Sequence, residues 1–167
     1  MQKREIDEKE LLAVNKLKTE TRNKLDIAFM TVCITAFTLI ASLKPEILNE
    51  NKLFTLQLVS AIPLFMCALF SRIKVAYKLY EKKWDTLAFF SFTLAYGFLI
   101  NTLGILLSFF TVPLIFLTFF GLNIVLDLAR SSIKYSYGRN KPKDFMRVIV
   151  HVLLIVFLGI LPALKVY

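Results

Sequence analysis

From Thr86 to Ala129 the chain runs for 44 residues with one charged side chain, Asp127. As a single α-helix this run would be about 66 Å long at about 1.5 Å per residue. That is roughly twice the ~30 Å hydrocarbon core of a bilayer. The sequence therefore predicts a hairpin of two membrane helices, about Thr86–Ser108 and Pro113–Ala129. The turn is expected near Phe109–Val112, because Thr111 can cap a helix start and Pro113 suits a first turn.

Three further apolar runs fit the same solvent. One covers about Leu25–Leu43 and ends at Lys44, Pro45 and Glu46, where proline and charge both oppose continuation in lipid. Another covers about Leu53–Ser71 and contains Pro63, which membrane helices tolerate with a kink. The last covers about Phe145–Leu164 and closes at Pro162 and Lys165. The intervening segment KPEILNENK reads as a short polar loop. Composition agrees: 57% of residues are hydrophobic, against about 45–50% in an ordinary soluble domain. The predicted fold class is an all-α integral membrane protein, with five transmembrane helices over 25–167 and a cytoplasmic amphipathic helix over 1–24. In that arm Leu11, Val14, Leu17 and Ile6 recur near helical spacing among mixed charges, as in a helix lying on lipid. No A-x-A site follows the first apolar run, so that run reads as an anchor and not as a cleaved signal.

Charge sets the orientation. Lys and Arg number seven in the arm, two in the first loop, five between the second and third spans, none in the hairpin turn, six from Arg130 to Arg147, and one in the tail. Cytoplasmic loops carry the excess of Lys and Arg. The alternation therefore predicts an inside N-terminus and an outside C-terminus in the cytoplasmic (inner) membrane. Tyr77, Tyr80, Trp84, Tyr135 and Tyr137 cluster on the same inner side, as an aromatic belt does. The net charge of +9 is then matched to anionic lipid on the cytoplasmic face, with a soluble cytoplasmic protein as a possible further partner, and not to nucleic acid.

Ionisable and amide side chains in a bilayer are costly and so informative. An inner layer holds Asp26, Arg72, Asp85, Asp127, Arg130, Arg147 and His151. Asp127 and Arg130 are three apart on the fourth span, and Arg147 and His151 four apart on the fifth, so each pair shares a helix face. Asn123 lies one turn from Asp127. The functional reading is a polar cluster that binds a ligand or relays protons. The structural reading, which carries more weight near the headgroups, is a salt-bridge network pinning helix ends, with arginine snorkelling.

An outer layer holds Gln57, Asn101 and Thr102. Asn101 is expected to find a partner on another helix, as interhelical glue of about 0.6–2 kcal/mol, before it is expected to bind substrate. Small or polar stripes recur at helical spacing: Thr31, Thr35, Thr38 and Ser42; Gln57, Ser60, Cys67 and Ser71; Thr93, Gly97, Asn101, Gly104 and Ser108. Such faces let backbones approach closely. They pack a bundle, or line a water path or subunit interface; the third stripe is the strongest candidate for lining a pore.

Cys33 and Cys67 both fall inside spans and form no C-x-x-C, so a metal or redox pair is unsupported. No phosphate-binding loop or dinucleotide fingerprint is present, and no cofactor is expected. These features point to a non-enzymatic, homo-oligomeric membrane subunit that forms pores, perturbs membranes or senses, in a setting such as bacterial envelope defence or stress response. A small transporter or substrate-binding subunit is the alternative. A lipid enzyme using Asp127 and His151 as acid and base lacks a nucleophile with an adjacent base in sequence.

Overall fold

The structure, a computed structural model, describes the backbone of residues 2–76, 81–110, 113–136 and 142–164, and the side chains of most of these. Among them only Lys44 and Asn51 lie outside a helix. The elements are α1 (Gln2–Leu43), α2 (Pro45–Glu50), α3 (Lys52–Ala76), α4 (Glu81–Phe110), α5 (Pro113–Ser136), α6 (Pro142–Ile155), a π-helical turn (Val156–Ile160) and α7 (Leu161–Leu164). Five helices among the described residues are long and apolar enough to cross a membrane: Thr19–Leu43, Lys52–Ala76, Lys83–Phe109, Pro113–Ile133 and Phe145–Leu164.

The hairpin expected within the 44-residue run is present. α4 ends at Phe110 and α5 starts at Pro113, and Thr111, the expected cap, lies outside the described residues together with Val112. The first loop differs from expectation, because six of its residues form α2. Pro45 opens that helix, where its missing N–H costs nothing. Asn51 then caps α3, its Oδ1 accepting from the Phe54 N–H at 3.0 Å.

The arm also differs. It is not a separate helix: α1 continues from Gln2 into the first apolar run without a break. The reason is visible in composition, for no Gly or Pro stands between Gln2 and Leu43, and the residues about the expected boundary, Arg22-Asn23-Lys24-Leu25, offer no strong helix stop. Of the belt residues, Tyr77, Tyr80 and Tyr137 lie outside the described residues.

α4 is the central helix. It packs on α3, α5, α6, the π-turn and α7, and it touches α1, which leans chiefly on α3. More of α4 is buried than of any other membrane-length helix, and α1 and α5 are the most open. The core runs through Phe54, Leu58 and Phe65 of α3, Ala95 and Ile105 of α4, Phe116 and Phe120 of α5, and Ile155 of α6, all fully buried. Phe120 sits where α4, α5 and the π-turn meet. A Cβ on Gly104 would overlap its ring, and one on Gly159 would lie 2.7 Å from its Cε1. Glycine at both positions opens the slot that seats α5 against the bundle.

Candidate functional site

Three buried polar centres hold the helices together. The first lies at the basic end, where α5 leaves the bundle and α6 enters it. Asp127 of α5 spends both carboxylate oxygens on α6. Arg147 donates through Nη2 to Oδ1 at 2.8 Å, and His151 Nδ1 lies 2.9 Å from Oδ2. The one-turn spacing of Arg147 and His151 places both beside one carboxylate. Asp127 and Arg147 keep about an eighth of their side-chain surface open, whereas His151 is buried. The His151 ring lies 5.3 Å from that of Tyr96 on α4, centroid to centroid.

Two of the expected cluster members stand apart. Asn123 donates to the Phe119 carbonyl of its own helix at 2.8 Å. Arg130 is exposed on α5 and adds positive charge near Asp127 from the surface.

The second centre, also at the basic end, joins α1 to α3. Asp26 is buried and bonded to Arg72, whose Nη1 also donates to the Arg22 carbonyl at 3.1 Å. The Arg72 guanidinium lies 4.9 Å from the centre of the Phe92 ring, within the range of a cation–π contact. Phe92 stacks on Tyr96 at 6.1 Å, so an aromatic column connects the second centre to the first. The sequence placed Asp26 and Arg72 in one layer but did not pair them. Nothing in their spacing, 46 residues apart, could have done so.

The third centre lies towards the opposite end, between α3, α4 and the π-turn. Asn101 donates to Gln57 Oε1 at 2.9 Å and to the Leu154 carbonyl at 3.0 Å. Gln57 Nε2 donates to the Leu158 carbonyl at 2.9 Å. The cause lies in Pro162. Proline has no N–H and its ring crowds the carbonyl four residues back, which is Leu158. The helix relieves that crowding by widening into the π-turn, with the Leu161 N–H reaching Val156 O, and Gln57 supplies the Leu158 carbonyl with a donor. Asn101 Oδ1 lies against Gly159, where a Cβ would come within 2.5 Å of it.

The α4 stripe proposed for pore lining lies inside this packing. Thr93 bonds to its own helix at 2.8 Å. A Cβ on Gly97 would meet Leu154 at 2.9 Å. Asn101 is held as above, Gly104 is covered by Phe120, and Ser108 bonds to Ile105 O at 2.6 Å. The α1 stripe faces the other way: Thr31, Thr35, Thr38 and Ser42 are all exposed. Of the second stripe, Gln57 and Ser71 are buried, and Cys67 accepts from the Ser91 hydroxyl at 3.3 Å.

Among the described residues, no group of three His, Cys, Asp or Glu side chains is placed to hold a metal ion. No protein-family model, curated protein or solved structure matches the chain, so the reading of function rests on these centres and on the faces left open.

Proposed function

We propose that the protein crosses the cytoplasmic membrane five times, with its N-terminus inside and its C-terminus outside, and acts as a non-enzymatic homo-oligomeric subunit whose role is sensing. The observation that carries the oligomer is the outward stripe of α1. Thr31, Thr35, Thr38 and Ser42 stand on an open face, and Thr31 and Thr38 turn their hydroxyls back to Ile27 O and Ile34 O at 2.9 Å each. This leaves small side chains outermost, two of them with their hydroxyls satisfied within the helix, the kind of surface on which a second helix packs closely in lipid. With the α4 stripe packed inside the protomer, any conduction path in a pore-forming version runs between copies.

Sensing is favoured over pore formation or membrane perturbation by the attachment of α5. That helix is among the most open in the bundle. Phe116 and Phe120 seat it in the core and the Asp127 carboxylate ties it to α6, so α5 is coupled to its neighbour through one polar junction. The basic residues at the same end would face anionic lipid or a soluble partner.

The test is assembly in a bilayer. In a protein with Cys33→Ala and Cys67→Ala, a single Thr35→Cys should form disulfide-linked dimers in nanodiscs or liposomes, and native mass measurement should show more than one copy. A strictly monomeric protein overturns the proposal.

The transporter reading keeps one specific support. An interrupted helix with backbone carbonyls turned towards side-chain amides resembles the broken helices of transporter sites. A binding screen comparing the parent with Asn101→Leu tests it, and identical binding rules out this site.

A further inference from the structure

Among the described residues, α1 and α6 both rest on α4 and form no packed pair with each other. Tyr96 of α4 stands between them. Its ring lies 5.6 Å from that of Phe29 on α1 and 5.3 Å from that of His151 on α6, centroid to centroid. Tyr96 and Phe29 are both half-buried, so the cleft between α1 and α6 opens onto aromatic rings.

The Tyr96 hydroxyl is the polar group of that cleft. No described residue bonds to it, and it is not enclosed, unlike the unpaired atoms of Asn101, Arg147 and His151. A phenol both donates and accepts, and at membrane depth an unpaired one is costly. An open donor there suits a partner that arrives from outside the chain.

Side chains lean towards the N-terminus of their own helix, and α4 begins at the basic end. The hydroxyl therefore points to that end. The charges acting on it are those of Asp127, Arg130 and Arg147, two positive and one negative, which leaves an excess of one positive charge. Both Asp127 oxygens are taken by α6. Arg147 uses Nη2 on that carboxylate and keeps 15% of its side-chain surface open, and Arg130 is exposed.

Depth orders these groups. Arg130 and Arg147 stand within a turn of the basic ends of the membrane-length stretches Pro113–Ile133 and Phe145–Leu164, whereas Tyr96 is at the middle of Lys83–Phe109. Going inwards, the site offers cations, then a hydroxyl donor, then rings. A diacyl phospholipid offers the complementary series of phosphate, ester carbonyl and acyl chain.

We propose that the cleft between α1 and α6 binds one anionic phospholipid, with its phosphate on Arg130 and Arg147, an ester carbonyl accepting from the Tyr96 hydroxyl, and an acyl chain against Phe29. The excess positive charge selects an anionic headgroup over a zwitterionic one. This inference rests on the membrane setting proposed above and gives the sensing role its ligand.

The test counts retained lipid. The full chain is released from nanodiscs holding equal amounts of phosphatidylglycerol and phosphatidylcholine with the same acyl chains, and native mass measurement reads what stays bound. One phosphatidylglycerol per chain should be retained in preference to phosphatidylcholine. Tyr96→Phe should weaken its retention by about 3–10-fold, the effect of one lost hydrogen bond. Arg130→Gln should weaken it by about fivefold. Lys83→Gln, which removes an exposed charge at the same end, should leave it unchanged. Equal retention of the two lipids, no effect of Tyr96→Phe, or an equal effect of Lys83→Gln overturns the proposal. So does displacement of the lipid by inorganic phosphate, which marks a free-anion site.

Phosphatidylglycerol with a photoreactive acyl chain gives the position. Labelling should include α1 around Phe29, and labelling confined to other helices overturns the proposal. The mass spectra also separate the two ideas. An oligomer that retains no selected lipid, as when a second copy fills the cleft, ends this inference alone. A monomer that retains one ends the oligomeric reading alone.

Discussion

Gln57 donates to the carbonyl of Leu158 at 2.9 Å, the group that Pro162 deprives of its helical donor. An amide on α3 thus completes the backbone of the fifth membrane-length helix. Gln57→Leu should destabilise the bundle by about 1–2 kcal/mol. Pro162→Ala, which restores an N–H four residues after Leu158, should recover part of that loss. Unfolding in mixed micelles measures both. Equal losses for Gln57→Leu with and without Pro162→Ala would falsify the assignment.

Asn101 and Gln57 form one network, bonded to each other at 2.9 Å. Asn101→Leu and Gln57→Leu should therefore be non-additive, with the double variant costing at least about 0.5 kcal/mol less than the sum of the singles. Strict additivity would mean that the amides act independently.

Glycine should matter by position. A Cβ on Gly104 overlaps Phe120, whereas one on Gly121 meets nothing within 4 Å. Gly104→Ala should loosen α5 by about 1–3 kcal/mol through overpacking, and Gly121→Ala should be neutral or stabilising by up to about 1 kcal/mol. Thermal unfolding of the two variants side by side decides it, and the reverse ranking would remove Phe120 as the anchor.

The Asp26–Arg72 pair is buried on the Asp26 side and shielded by Phe92 on the other. Removing one partner leaves a lone charge, at a cost of about 3–5 kcal/mol, while replacing both by apolar residues of similar volume costs much less. Asp26→Leu should thus be more harmful than Asp26→Leu combined with Arg72→Met, read as folded yield and unfolding midpoint. If the double variant is the worse, the pair contributes more than charge neutralisation.

Orientation is checked separately. With the native cysteines replaced by alanine, Glu50→Cys should react with an impermeant maleimide from outside intact cells, and Lys83→Cys only after permeabilisation. The opposite pattern inverts the topology.

The membrane-length helices were legible because apolarity and length are local properties. The hairpin between Phe110 and Pro113 followed from a run too long for one crossing. Asp127, Arg147 and His151 were legible as polar residues of neighbouring helices, and the Arg147–His151 spacing showed which two would share a face. What the sequence did not show was partnership across helices. Asp26 with Arg72, Asn101 with Gln57, and Phe120 with Gly104 and Gly159 depend on rotation of each helix about its axis, which periodicity in a uniformly apolar segment sets only weakly. The π-turn had a local signal, Pro162 four residues after Leu158, but the donor that answers it comes from 101 residues away. The outward face of α1 and the inward face of α4 carry similar stripes, and only packing tells them apart.

The unbroken course of α1 has a mechanical consequence. The residues ahead of its membrane-length part, Gln2 to Lys18, form about 25 Å of helix continuous with that part. A change in tilt of about 10°, well within the range helices adopt in bilayers, swings the tip of that stretch by about 4 Å. In the proposed membrane setting, bilayer thickness and lateral pressure would thus be converted into displacement at the surface, as by a lever whose fulcrum lies at the headgroups.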